Sequence, residues 1–172
     1  MTTNETDGTI EEVGDTLVLR FERRYSNSIN DVWDAITNPE RIAQWWLPFD
    51  ADITVEPVAG GSYELRGKGG APTLSWKVLR ADAPHLFAHT HVEPGVVITW
   101  ELSVEGDGCV LVLTQTVPDR ASAVGNNFVV GLHTSLDRLG ALLQGHVIEW
   151  DWTAMSEHQR RYARSGLAVE PE

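Results

Sequence analysis

The sequence has little cysteine, few basic residues and no long hydrophobic run. Its 172 residues include a single cysteine, Cys109, so no internal disulfide can form, and this predicts a reduced, cytoplasmic protein. No apolar run approaches the roughly 20 residues that a membrane-spanning helix needs. The first 15 residues have neither the basic start nor the apolar stretch of a signal peptide. Lysine and arginine number 13 against 25 acids, so we expect no nucleic-acid binding, which requires clustered basic residues.

Acidic residues are concentrated at the two ends of the chain, and these ends carry much of the net charge of −12. Residues 1–15 and 165–172 contain no lysine or arginine. We therefore predict a disordered acidic tail over 1–15, one domain over 16–164 and a short tail over 165–172. The acids of the two tails are Glu5, Asp7, Glu11, Glu12, Asp15, Glu170 and Glu172.

Catalytic motifs are also scarce. There is no G-x-S-x-G nucleophile motif, and Cys109 begins a predicted strand without an obvious activating partner. The glycines at 67, 69 and 70 lead into Pro72 and a further strand, whereas a phosphate-binding loop leads into a helix. We therefore predict no catalytic residue and no cofactor, and the residues alone leave open whether the protein is an enzyme.

The most informative segment that is present runs from Ser28 to Trp46. Ser28 followed by Asp31 fits a helix cap, and apolar residues then recur at helical spacing. Asn38 and Pro39 end this helix and begin a second short one, with proline at the first helical position. Of the adjacent Trp45 and Trp46, we expect one to pack inside and the other to lie near a pocket mouth or the surface.

The rest of the chain predicts strands and then helices. A long helix is expected over Asn126–Gln144 and a second over Asp151–Ala163. The pattern predicts an α+β fold in which a curved antiparallel sheet of six to seven strands grips the long helix, with an internal cavity between them. The predicted strands are Leu17–Ser26, Ala51–Pro57, Ser62–Arg66, Thr73–Ala81, Leu86–His91, Val96–Val104 and Cys109–Val117.

The cavity is the predicted ligand site. Gln115 would be a polar group in an apolar strand face; it either orients a ligand or is a core glutamine bonded to the backbone. His89 and His91 share a strand face, but an H-x-H pair without a companion acid or cysteine is a weak zinc signal, so we predict no metal. The predicted ligand-binding residues are Trp46, Trp76, His89, His91, Ile98, Trp100, Leu113, Gln115, Leu132 and His133.

Several segments together resemble the START-related helix-grip (SRPBCC) superfamily, and within it the family named after the activator of the Hsp90 ATPase, C-terminal-domain type. The resemblance covers about residues 16–145. Two positions depart from the family pattern, since Leu132 replaces a usual tryptophan and His91 a common aromatic residue. The matching segments are Val32–Trp46, the Gly60-Gly61 turn with Tyr63, Leu86–His91 and Gly131–Gly145.

The resemblance implies three classes of function. The first is binding of a small, largely apolar or aromatic molecule in the cavity. The second is a cyclase-like or hydrolase-like enzyme that uses His89, His91 or His133 as a general acid or base. The third is contact with a chaperone ATPase, which we disfavour because in the eukaryotic activator a separate N-terminal domain makes much of that contact. Whether the protein forms a homodimer is left open by the sequence.

Overall fold

The chain builds one antiparallel sheet and then turns to helices. The computed structural model describes residues 6–172. The sheet has eight strands in the order β1-β2-β8-β7-β6-β5-β4-β3, so that strands distant in sequence meet only where β2 pairs with β8. The strands are β1 (Thr9–Val13), β2 (Thr16–Tyr25), β3 (Ala51–Val55), β4 (Ser62–Gly67), β5 (Thr73–Asp82), β6 (Leu86–Thr90), β7 (Val97–Glu105) and β8 (Gly108–Val117).

The sequence predicted six to seven strands, and the structure has eight. The additional strand is β1, which lies within the stretch 1–15 that was predicted to be a disordered tail. It pairs with β2 from Thr9 opposite Arg20 to Val13 opposite Thr16. The pairing places Gly14 and Asp15 in a two-residue hairpin loop, where Gly14 adopts a φ of 63° that glycine tolerates best. Residues 1–5 of the predicted tail lie outside the described residues.

Both predicted caps of the early helices are confirmed. Helix α1 (Ile29–Thr37) begins after Ser28, whose side chain accepts a hydrogen bond from the Asp31 N–H. Helix α2 (Pro39–Ile42) begins after Asn38, whose side chain accepts from the Glu40 N–H. Three helices follow the sheet: α3 (Arg120–Gly125), which the sequence analysis did not predict, then α4 (Phe128–Leu143) and α5 (Trp152–Arg164).

Helix α4 is the long helix gripped by the sheet. Its predicted apolar stripe is buried and joins a single core with residues of β2, β5, β7 and β8. Burial of such a stripe, rather than helix propensity alone, stabilises a helix of this length. The buried stripe residues are Val129, Leu132, Leu136, Leu139 and Leu143.

The C-terminal segment after α5 is tied to the domain. Ala168 is buried, and Leu167 packs against the core. The Val169 N–H donates to the Asn127 side chain at 2.9 Å, and Gln159 donates to the Val169 carbonyl at 2.8 Å. This part of the predicted tail therefore makes ordered contacts.

Candidate functional site

A cavity of about 330 Å³ lies between the sheet and the N-terminal half of α4. Its wall also includes the loop that follows α2 and the start of α5. None of the wall residues is an acid, a lysine or an arginine. The wall consists of Trp46, Leu47, Pro48, Phe49, Leu74, Trp76, His91, Val92, Gln115, Asn126, Asn127, Phe128, Gly131, Leu132, Ser135, Trp150 and Met155.

A cluster of tryptophans forms the base of this cavity. Trp46 lies in the wall and meets Trp76 edge to face, with ring centroids 6.2 Å apart. Behind it, Trp100 lies 5.5 Å from both Trp45 and Trp46. Edge-to-face pairs of this kind are favourable, so they stabilise this arrangement of rings at the base of the cavity.

The adjacent tryptophans Trp45 and Trp46 are both buried, because the chain leaves the helical conformation after Ile42 and turns. Trp45 is part of the core, where its indole N–H donates to the Ala35 carbonyl at 2.9 Å. Trp46 faces the cavity. The structure thus distributes the pair as expected between core and pocket, but leaves neither on the surface.

His89 lies behind the cavity wall and is fully engaged. Its Nδ1 lies 2.8 Å from the Thr90 carbonyl and must donate, because that oxygen only accepts. Its Nε2 therefore accepts from the Trp100 indole N–H at 3.1 Å. Burial lowers the pKa of His89 to about 4, so the ring is neutral near pH 7. Both ring nitrogens make hydrogen bonds within the core, so neither is free to exchange a proton with a substrate.

His91 and Gln115 are the polar side chains that the strands bring to the wall. Burial lowers the pKa of His91 to about 4, so this ring is also neutral near pH 7. It packs on Trp76 at 4.9 Å and meets Phe128 edge to face at 5.8 Å. Gln115 is almost completely buried on β8, and its Nε2 has no hydrogen-bond partner in the part of the chain that the structure describes.

The loop that closes the cavity is anchored by two side chains of α4. Ser135 donates to the Trp46 carbonyl at 3.1 Å. Arg138 donates through Nη1 to the Leu47 carbonyl at 2.7 Å and through Nε to the Ile148 carbonyl at 3.0 Å. A buried guanidinium thus joins the loop after α2 to the segment before α5, and both of these contribute to the cavity wall.

Half of the predicted ligand-binding residues lie in the wall. These are Trp46, Trp76, His91, Gln115 and Leu132.

The other five do not line the cavity. Ile98, Trp100 and Leu113 are buried in the core behind it, and His89 supports Trp100 as described above. His133 differs in direction from Leu132 by about 100° along the helix, and it contacts His158 and Tyr162 of α5.

His133 belongs to a second polar cluster between α4 and α5. Its Nδ1 lies 2.6 Å from the Tyr162 hydroxyl, which accepts from the Gly8 N–H at 2.7 Å. Its ring stacks on His158 at 3.9 Å. Burial lowers the pKa of His133. Sequence reasoning missed His158 and Tyr162 here, because their approach to His133 depends on how α5 docks.

This second cluster has the residue types of a metal site. One ligand atom each from His133, Asp137 and His158 lies within 4.8 Å of the others. However, Nδ1 of His158 accepts from Arg161 at 2.9 Å, so its Nε2 carries the proton that is donated to Asp137 at 2.7 Å. In this arrangement His158 has no lone pair left for a cation, and the cluster is a hydrogen-bond network.

Several wall residues had no signal in the sequence pattern. Phe49 and Trp150 lie in irregular segments, and Met155 lies on α5, so their place at the cavity follows from packing alone. Phe128 and Ser135 could have been found, since they lie on the same face of the long helix as Leu132.

Across residues 6–172, no helix is both long and apolar enough to cross a bilayer.

Comparison with solved structures identifies the fold. CalU16 from Micromonospora echinospora is 26% identical, with a TM-score of 0.69 and coverage of 94% of each chain. A conserved protein of unknown function, EF2215 from Enterococcus faecalis, is 16% identical, with a TM-score of 0.76 and coverage of 94% of this chain and 91% of that chain. The protein encoded by BPP1335 from Bordetella parapertussis is 23% identical, with a TM-score of 0.66 and coverage of 95% of each chain.

No curated protein matches the chain. The sequence profile of one family, described as activator of Hsp90 ATPase homolog 1-like protein, matches residues 26–144, well over half of the chain. The structural neighbours have the same SRPBCC-type helix-grip architecture. The chain therefore belongs to the activator of Hsp90 ATPase homolog 1-like family.

Proposed function

We propose that this protein binds a small, largely apolar molecule in the cavity between the sheet and α4. The observation that carries the proposal is a cavity of about 330 Å³ whose wall holds aromatic and aliphatic side chains and no acid, lysine or arginine. Apolar surface removed from water stabilises a complex by about 25 cal/mol per Å². A few polar groups in such a wall set the orientation of the ligand. We further propose that binding takes place in the cytoplasm, in keeping with the single cysteine.

The histidines favour binding over catalysis. Both nitrogens of His89 are occupied by Thr90 and Trp100. His133 lies outside the cavity wall, bonded to Tyr162 of α5. Of the three histidines that an acid–base mechanism could use, only His91 lies in the cavity wall.

Two glycines of α4 offer a matched test. Gly131 lies in the cavity wall, and a β-carbon placed there would meet no atom within 4 Å. Gly140 lies two to three turns further along the same helix, outside the wall, and has equally open space around it. We expect Gly131→Leu to fill the cavity and weaken binding of the neutral apolar dye N-phenyl-1-naphthylamine at least about tenfold, the loss of about 1.4 kcal/mol of burial.

The Gly140→Leu variant is the control for this prediction. It makes the same change in helix propensity on the same helix, so it should bind the dye as the unmodified protein does. Dye fluorescence measures affinity, and thermal unfolding shows that both variants are folded. Native mass spectrometry of the freshly purified protein would identify a small molecule that co-purifies. Equal dye affinity in the two variants, or no binding by the unmodified protein, would refute the proposal.

A further inference from the structure

The buried polar atoms that have no partner are concentrated around the cavity. Among the described residues, six buried side-chain nitrogen or oxygen atoms lack a hydrogen-bond partner. Two of the six lie on β2, in Arg23 and Tyr25. The other four are nitrogens of cavity-wall residues: Trp46 Nε1, Trp76 Nε1, His91 Nδ1 and Gln115 Nε2.

Three of these four nitrogens can act only as hydrogen-bond donors, whereas His91 Nδ1 donates or accepts according to the tautomer of the ring. An indole Nε1–H and an amide Nε2–H₂ can only donate hydrogen bonds. Trp46, Trp76 and Gln115 therefore offer three groups of donors, and none of these has an acceptor among residues 6–172. Buried polar groups in folded proteins nearly always have a partner, so the acceptors are expected to come from whatever fills the cavity.

The placement of the donors defines where those acceptors must lie. Trp46 and Trp76 contact each other edge to face, and His91 packs on Trp76. Gln115 belongs to the same wall but comes from β8, two strands beyond β6 in the sheet. All four nitrogens are covered by neighbouring atoms, so small side-chain rotations must accompany their pairing with a ligand.

The wall also selects against charge. It contains no lysine or arginine that could pair with an anion. His91 is neutral near pH 7 and cannot supply a positive charge. An ionised carboxylate or phosphate in this cavity would be desolvated without a counter-charge, which is strongly unfavourable. An organic cation would offer hydrogen-bond donors, whereas the indole and amide groups of the wall need hydrogen-bond acceptors.

We infer that the ligand is a neutral, mainly aromatic molecule with one or more carbonyl-type oxygens, which accept hydrogen bonds from Gln115 and from the indoles of Trp46 and Trp76. This inference rests on the proposed function, since it specifies the chemistry of the molecule that the cavity binds. Aromatic rings would pack on the tryptophans, and the oxygens would satisfy the unpaired donors. The class includes aromatic ketones and quinones.

Three compounds of nearly the same shape test the inference. 9-Fluorenone carries a carbonyl where fluorene carries a methylene group, and 9-fluorenone-4-carboxylate adds a negative charge. We expect 9-fluorenone to bind about tenfold more tightly than fluorene, as one or two buried hydrogen bonds predict. The carboxylate should bind more weakly than 9-fluorenone. Isothermal titration calorimetry or tryptophan quenching of the full chain gives all three affinities.

The variant Gln115→Leu separates a ligand contact from a structural role. Loss of packing would weaken both neutral compounds equally, whereas loss of a donor lowers only the ratio of their affinities, which should fall toward one. Gln144→Leu, at an exposed position after α4, is the matched control and should keep the ratio. Trp76→Phe removes an N–H while keeping a ring, so it gives a second test should Gln115→Leu fail to fold.

Each outcome has one interpretation. Fluorene binding as tightly as 9-fluorenone would overturn the inference but leave the proposed function standing, as would an unchanged ratio in folded Gln115→Leu and Trp76→Phe. Tighter binding of the carboxylate would overturn the assignment of a neutral ligand. Failure of both neutral compounds and of N-phenyl-1-naphthylamine to bind would instead reject the proposed function itself.

Discussion

Replacing Arg138 with leucine is expected to lower the free energy of unfolding by about 3 kcal/mol, because two hydrogen bonds from a charged donor are lost. Its guanidinium bonds the carbonyls of Leu47 and Ile148 and lies 5.8 Å from the ring of Trp150. Leucine would fill part of the space but leave both carbonyls without this donor. Equilibrium unfolding in urea, followed by circular dichroism, measures the change.

Two further variants show whether geometry or charge is responsible. Arg138→Lys keeps the charge, but a single ammonium group cannot reproduce the two-armed contact, so we expect an intermediate loss. Arg160→Leu removes an exposed arginine of α5 and should change stability by less than about 0.5 kcal/mol. Equal stability of Arg138→Leu and the unmodified protein would show that these two contacts contribute nothing.

The same substitution should also affect the cavity. Arg138 holds Leu47 on one side of the wall and the segment before Trp150 on the other. Without it, the bond from Ser135 to the Trp46 carbonyl is the remaining one of the two contacts described above that anchor the loop after α2 to α4. Dye binding by Arg138→Leu should therefore weaken even under conditions where the variant is fully folded.

Local signals in the sequence predicted the elements that depend on neighbouring residues. The caps at Ser28 and Asn38 form as expected, since each is a contact within three residues. Strand β1 was missed because its exposed, acid-rich face shows no alternation, although Gly14-Asp15 is a recognisable hairpin signal. Helix α3 was missed although Asp119 caps it through the Ser122 N–H.

The cavity itself could be predicted only in part. Alternation placed Ile98, Trp100 and Leu113 on the inner face of the sheet, and all three are buried. Whether an inner residue reaches the cavity or lies behind it depends on how far α4 stands from each strand, which no local pattern encodes. Leu132 and His133 illustrate the helical case, since these neighbours on α4 differ in direction by about 100° and, of the two, Leu132 lies in the wall while His133 contacts Tyr162.

His91 and Leu132, the two positions at which the sequence was expected to differ from the family it resembles, both lie in the cavity wall. A tryptophan in place of Leu132 would occupy more of the space beside Gly131.

Acidification from pH 7 to pH 5 is expected to destabilise the protein through its buried histidines. Burial lowers the pKa of His89 to about 4 from an ordinary 6.5. In this window the unfolded chain binds a proton at residue 89 and the folded protein does not. Stability therefore rises with pH between about 4 and 6.5 and is lost as the pH falls. His89 alone should lower the free energy of unfolding by about 2 kcal/mol when the pH falls from 7 to 5.

The variant His89→Gln isolates this contribution. An amide offers a donor for the Thr90 carbonyl and an acceptor for the Trp100 indole, as the neutral imidazole does, but it does not titrate. The variant will be less stable at pH 7 if its packing is poorer, yet its loss of stability on going to pH 5 should be smaller by about 2 kcal/mol. His146→Gln, at an exposed position, should keep the full pH dependence of the unmodified protein.

The comparison of slopes, rather than of stabilities, makes this test decisive. Carboxylates and the other buried histidines, His91 and His133, titrate alike in all three proteins, so their contributions cancel in the difference. Urea unfolding at closely spaced pH values gives each slope. Parallel curves for His89→Gln and the unmodified protein would mean that His89 is protonated in the folded state near its ordinary pKa. That result would contradict a neutral ring held between Thr90 and Trp100, and with it the support that His89 gives to Trp100 behind the cavity wall.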